Sequence, residues 1–193
     1  MARRRSSISD APLLAWGEAL RRSRARRERL ARGGAAIAVG LVLVGATVIA
    51  PPAPRLVWNS SASAPIGLYA VSPGAAIGPG DMVIARVPER FRMLAATRHY
   101  IPANVPLVKR AAAQAGDIVC ARETRILVDE RRVAVRRSVD GSGRPMPWWR
   151  GCIRLGRGQY LLLIDAPDSF DGRYFGITDG VDIIGKARPL WTG

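Results

Sequence analysis

The stretch VPLVKRAAAQAGDIVCAR, running from Val105 to Arg122, reads as two β-strands separated by a Gly-Asp turn. Leu107, Val108 and Ala111–Ala113 form an apolar run, Gln114–Asp117 punctuates it, and Ile118–Cys120 starts the next. At the strand period of two, Lys109 shares a face with Leu107 and Ala111, which places an amine in apolar surroundings. The same grammar recurs along the body of the chain. DMVIARVP follows the turn IGPG, RILVDERRVAVRR alternates about Asp129–Glu130 as a hairpin would, and QYLLLID and VDIIGKARPLW complete the set. Short runs at this spacing predict a mainly β, antiparallel domain. After residue 55 a helical pattern stands out only within PERFRMLAATRHY.

Upstream the pattern is different. From Gly33 to Pro54 no residue is charged, and AAIAVGLVLVGATVIA (Ala35–Ala50) has no polar face apart from Thr47. Those residues as a helix span roughly 24 Å, and the flanks up to Pro54 bring the length to the ~30 Å of a bilayer core. A buried core helix would carry a polar stripe. A cleaved secretory signal would have a shorter, less charged leader and no proline pair at the cleavage point. The segment therefore reads as an uncleaved transmembrane signal anchor over residues 35–54. The arginines from Arg21 to Arg32 precede it directly, so the positive-inside rule leaves residues 1–34 as a basic cytoplasmic arm and residues 55–193 on the far side. Trp58 falls where an interfacial aromatic is expected, and SDAPLLAWGEAL suits a short helix at the start of the arm.

About half of the formal charge of +15 comes from that arm, where ten arginines face Asp10, Glu18 and Glu28. Arginines beside a bilayer are accounted for by anionic lipid, so no nucleic-acid partner is expected. Cys120 and Cys152 do not have zinc or CxxC spacing, and with a single histidine no metal or other cofactor is expected.

NSSASAPIGLY (Asn59–Tyr69) places serines beside Pro65 and Gly67, either as a linker or as a nucleophile-bearing loop. A serine needs a base. His99 lies in TRHYIP among polar and proline neighbours, a surface or structural setting, which leaves lysine. The chain has two, Lys109 and Lys186. A buried lysine can fall from ~10.4 towards ~7–8 and act as a base near neutrality. The apolar neighbours of Lys109 suit that shift better than those of Lys186, which has Arg188 close by.

SASAPIGLY, LVKRAAAQAGD and DSFDGRYFG follow one another in this order behind an anchor. Together they resemble the three blocks of the type I signal peptidases, closest to their TraF-type, conjugative-transfer branch. Ala64 after the serine and AAAQAGD after the lysine fit that branch better than the housekeeping one. The resemblance implies a LexA/signal-peptidase-like β domain whose apolar surface approaches the membrane. It implies Ser63 as nucleophile, Lys109 as general base and Ser61 as oxyanion helper. It further implies that Ser169 orients the lysine and that Asp171 and Arg173 hold the site together. With the body outside the cytoplasm, Cys120 and Cys152 are expected to form a disulfide.

The function so implied is a membrane-anchored serine endopeptidase with a Ser-Lys dyad, located in the inner membrane with a periplasmic domain. Its substrate would be a secreted precursor with small residues at the cleavage site, such as a conjugative pilin. The alternative is a non-catalytic, membrane-tethered assembly factor of a conjugation or secretion apparatus. A LexA-like autoprotease also uses Ser-Lys chemistry, but the anchor and the missing helix-turn-helix pattern count against it.

Overall fold

The computed structural model describes residues 11–193, which divide into one unit ending at Pro52 and another beginning at Ala53. Helix α1 (Ala11–Ile49) makes up the first. It runs through the expected boundary at residue 34, so arginine cluster and apolar segment form one continuous helix. Alanine, leucine and arginine are strong helix formers, and the ion pairs Arg22–Glu18 (3.0 Å) and Arg32–Glu28 (3.6 Å) add i,i+4 support. Pro51 and Pro52 follow its end, where proline cannot continue a helix. The helix is long and apolar enough to cross a membrane, with mean hydropathy 1.9 over its most apolar window, none of which is buried by protein. Ser9 and Asp10, read as a start signal for a short helix, lie outside the described residues.

The second unit holds two antiparallel sheets. The larger has seven strands in the order β1-β2-β11-β3-β4-β9-β10. These are β1 (Leu56–Asn59), β2 (Gly67–Ser72), β3 (Met82–Ala85), β4 (Leu107–Ala113), β9 (Gln159–Leu163), β10 (Ile177–Asp179) and β11 (Ile183–Thr192). The smaller has the order β7-β6-β5-β8, from β5 (Ile118–Arg122), β6 (Arg125–Val128), β7 (Arg131–Val135) and β8 (Gly151–Arg154). Helices α2 (Glu89–Thr97) and α3 (Gly172–Phe175) fill connections, α2 within the one stretch after residue 55 that has a helical pattern.

The hairpin expected about Asp129–Glu130 appears. β6 and β7 are joined by Asp129 and Glu130 with φ of 45° and 64°, the pair of positive values a two-residue type I′ hairpin needs. β1 and β2, hidden in the serine-rich segment, have a less visible cause. Gly67 pairs with Thr192 of β11 so closely that a Cβ would lie 2.0 Å from the Trp191 carbonyl oxygen. Only glycine fits there. One core cluster joins Ala64, Tyr69, Val71, Ile84, Val108, Ile164 and Ala187, so the sheet curls and the loop after β1 packs over β4. Register shifts in β11 at Ile183/Gly185 and Pro189/Trp191 supply local bending.

The Cys120–Cys152 disulfide is present and joins residues that face each other directly across β5 and β8. All four residues of β8 are exposed, so little apolar burial holds that strand in place. Its crosslink spans 32 residues of chain. Closure of such a loop contributes about 3–4 kcal/mol in the chain-entropy model. Denaturant unfolding of the full chain, followed by tryptophan fluorescence, is expected to show that loss in Cys120→Ser or after reduction. An unchanged midpoint would contradict the assignment of β8's stability to the crosslink.

Candidate active site

The loop from β1 to β2 is held from beneath by two side chains. Asn59, buried at the end of β1, donates through Nδ2 to the carbonyls of Ser61 (3.0 Å), Ala64 (3.1 Å) and Pro65 (3.0 Å). Its Oδ1 accepts from the Ser61 N–H at 3.2 Å. The Tyr69 hydroxyl donates to the Pro65 carbonyl at 2.7 Å, and the Ala64 methyl is in the core. The loop is therefore a fixed platform rather than a linker. On it the Ser61 hydroxyl lies 3.0 Å from Ser63 Oγ and accepts from the Ser63 N–H at 3.4 Å. Asn59 was not among the residues expected at the site. Its signal was an asparagine directly before Ser60–Ser61, a residue type that bonds backbone two positions on.

Lys109 sits on β4 between β3 and β9 and is 2% exposed. Its Nζ donates to Ser63 Oγ at 3.1 Å and to Ser169 Oγ at 2.7 Å. Burial depresses its pKa to about 8; Asp171 opposes the shift and Arg173 adds to it. The other candidate bases are placed differently. Lys186 is half-exposed and paired with Asp81 at 2.7 Å, and His99 is exposed just past the end of α2.

The third expected segment supplies the frame. Asp171 caps α3, accepting from the Arg173 N–H at 3.1 Å, and its other oxygen accepts from the Ile164 N–H at 3.2 Å. Arg173 Nε lies 2.9 Å from Asp171 Oδ1, with both side chains buried. The guanidinium donates further to the carbonyls of Ala166 (3.1 Å), Pro167 (3.2 Å) and Ile164. That pair closes the β9–α3 loop and so presents Ser169 to the amine. Burial pushes the Asp171 carboxyl up, and the Arg173 charge opposes it. Gly172 lets this turn lie against β9, since a Cβ there would come within 2.8 Å of Leu162 O and Leu161 Cδ1.

All six expected residues thus form one connected network: Ser61, Ser63 and Lys109, then Ser169 with Asp171 and Arg173 behind it. A cavity of about 140 Å³ opens on it, lined among others by Ser63, Lys109, Tyr100, Ile101, Leu107 and Phe170. Chemically the arrangement offers a half-buried hydroxyl beside an amine that is easily neutral, with a hydroxyl and an N–H nearby.

The family model described as "Signal peptidase, peptidase S26" matches residues 31–191. The chain belongs to that family. It is similar to the plasmid transfer protein TraF of Escherichia coli, 33% identical over 171 residues that cover 83% of this chain and 92% of the relative. It is likewise similar to the conjugal transfer protein TraF of Agrobacterium fabrum strain C58, 31% identical over 163 residues, covering 79% and 91%. A crystallised signal peptidase I from Enterococcus faecalis V583 aligns with a TM-score of 0.34 and 17% identity, covering 60% of this chain and 98% of that one. Membership rests on the family model and the TraF relatives. The S26 chain described here thus has a signal-peptidase-like role.

The platform's dependence on Asn59 is testable. Asn59→Asp keeps the shape but removes the donor to three carbonyls. Unsatisfied groups of this kind cost about 1–3 kcal/mol. Chemical denaturation of the full chain is expected to show a loss in that range; a loss well below it would mean the loop is held elsewhere.

Proposed function

We propose that this S26 chain is a membrane-anchored serine endopeptidase in which Ser63 is the nucleophile and Lys109 its general base. The observation that carries the reading is the 3.1 Å contact between Ser63 Oγ and a buried Lys109 whose pKa falls to about 8. Neutral Nζ takes the hydroxyl proton as Oγ adds to the carbonyl of the scissile bond. The resulting oxyanion is stabilised by the Ser63 N–H and the Ser61 hydroxyl, each such donor being worth roughly 3–4 kcal/mol. Lysine then passes the proton to the leaving amine, the peptide C–N bond breaks, and an acyl-enzyme remains. Water, deprotonated by the same amine, hydrolyses the ester and restores Ser63. Ser169, bonded to Nζ, keeps the amine aimed at Ser63.

The substrate we propose is a secreted precursor with a small residue at the cleaved position, a reading that rests on the signal-peptidase family to which the chain belongs. The plasmid and conjugal transfer relatives favour a conjugative pilin precursor. The arginines before the apolar part of α1 favour a cytoplasmic N-terminus and a periplasmic domain in the inner membrane. At one edge of the large sheet Trp58 and Trp191 stack with ring centroids 5.6 Å apart, and both are exposed, as are Leu56 and Leu190. Such an apolar edge suits contact with the outer face of the bilayer.

A fluorescent penem that acylates active serines tests the reading without a known precursor. The full chain in membranes is expected to be labelled, with Ser63→Ala unlabelled and Lys109→Ala slowed about 10²–10⁴-fold. Only the neutral amine accepts a proton, so the labelling rate is expected to rise with pH through about 8 and level off above it. Labelling that survives Lys109→Ala, or that ignores pH across this range, would contradict the dyad. Failure to label at all would favour the non-catalytic assembly factor.

A further inference from the structure

The four-stranded sheet turns one face to the core and one to solvent, and its register says which residues stand on each. Val119, Ala121 and Ile126 are buried together in one core cluster. By strand alternation the opposite face carries Ile118, Cys120 and Arg122 of β5. Arg125 and Leu127 of β6 pair with Arg122 and Cys120, Arg132 of β7 pairs with Leu127, and Arg154 of β8 pairs with Ile118. Residues directly opposite share a face. An apolar centre of Ile118, Leu127 and the Cys120–Cys152 disulfide is thus ringed by four arginines, and none of these paired positions is acidic. Arg122 and Arg125 face each other directly, an arrangement of like charges that costs stability. Among the described residues, none of Arg122, Arg125, Arg132 and Arg150 has a carboxylate within ion-pair distance.

Arg122 also enters the wall of a pocket of about 460 Å³, together with Ala121, Glu123, Trp148 and Arg150. The Arg136 guanidinium stacks on that Trp148 ring at 3.7 Å and is 1% exposed. Its Nε and Nη2 donate to the Glu123 carbonyl, while Nη1 is buried with no hydrogen-bond partner among the described residues. Burial and the Arg150 charge both hold its pKa below the ordinary arginine value. Three guanidiniums therefore gather about one tryptophan, against the single carboxylate of Glu123. Unpaired arginines around an apolar centre, kept despite their mutual repulsion, are what a surface that meets an anionic partner carries. We infer that this face, with the pocket at Trp148, is a docking surface for an acidic segment of a partner protein, one carboxylate of which is held by Arg122 and Arg150. Planar guanidinium forks match carboxylates in two-point contact, and the apolar centre takes aliphatic side chains between the acids. A bilayer is the poorer match, because the exposed tryptophan pair suited to headgroup depth, Trp58 and Trp191, belongs to the edge of the other sheet. The inference goes beyond the reading of Ser63 and Lys109 and does not depend on it.

A short fluorescein-labelled peptide of glutamate with interspersed leucine, titrated with the full chain in uncharged detergent micelles, tests this by fluorescence anisotropy. Binding is expected, and a counterpart with lysine in place of glutamate is expected not to bind. Arg122→Glu combined with Arg150→Glu is expected to weaken binding by about 10-fold or more. Arg26→Glu combined with Arg29→Glu, an equal change of charge in the arm, is expected to leave the affinity unchanged. Arg122→Glu alone is expected to raise the denaturation midpoint of the peptide-free chain, since it sets opposite charges across from each other at Arg125, so the lost binding does not come from a damaged fold. Equal losses in the two double variants, or no binding by the unaltered chain, overturn the inference. Displacement of the peptide from the arm variant by phosphatidylglycerol added to the micelles also overturns it and makes the face a lipid surface.

Discussion

Everything in the second unit converges on one costly placement: an amine with 2% exposure in the interior of a seven-stranded sheet. Desolvation opposes the ammonium form, and the shift to a pKa of about 8 is the consequence. Such a group persists only where its remaining hydrogen-bond capacity is met, and here two serine hydroxyls meet it. Those hydroxyls arrive from opposite directions in sequence, one from the β1–β2 loop and one from the β9–α3 loop. Each loop is fixed by a buried polar residue, Asn59 in the first and the Asp171–Arg173 pair in the second. The curled sheet brings these loops to the lysine.

The disposition of charge follows the same logic. Of the buried ionic groups, Asp171 and Arg173 neutralise each other and spend their remaining donors and acceptors on the backbone of one loop. A buried pair of this kind does little for net stability and much for geometry. Lys186, paired with Asp81 in a half-exposed position, shows the ordinary outcome for a strand lysine in the same sheet. It lies in register with Val83, which pairs on its other side with Lys109, so sheet position alone does not distinguish the two. The covering loops do.

Much of this could be read from residues alone, and the reasons for the exceptions are physical. The strands β3, β4, β5, β9 and β11 and the β6–β7 hairpin carry apolar runs or alternation between turn residues, and their pattern was visible. β8 has the sequence GCIR with every residue exposed, and β1 and β2 flank a serine-rich loop, so none of them stood out. Ser61, Ser63 and Ser169 were marked only by the resemblance of three ordered blocks to a known family, and Lys109 also by its apolar neighbours, whereas Asn59 was not, because its partners are backbone carbonyls. Arg136 makes the same point. No reading of the sequence singled it out, yet it is 1% exposed, stacks 3.7 Å from the Trp148 ring and donates twice to the Glu123 carbonyl. Neither a stacking partner nor a carbonyl acceptor leaves a trace in a charge pattern.

Because the chain contains only two lysines, the state of the buried amine can be measured directly. Full chain carrying isotopically labelled lysine side chains, studied by NMR in detergent micelles, should give two amine signals, with Lys186→Arg assigning the one that remains to Lys109. The account predicts that this signal titrates with a midpoint of about 8 and that Ser169→Ala moves it while Ser60→Ala does not. A midpoint near the ordinary ~10.4 of a solvated lysine would contradict it.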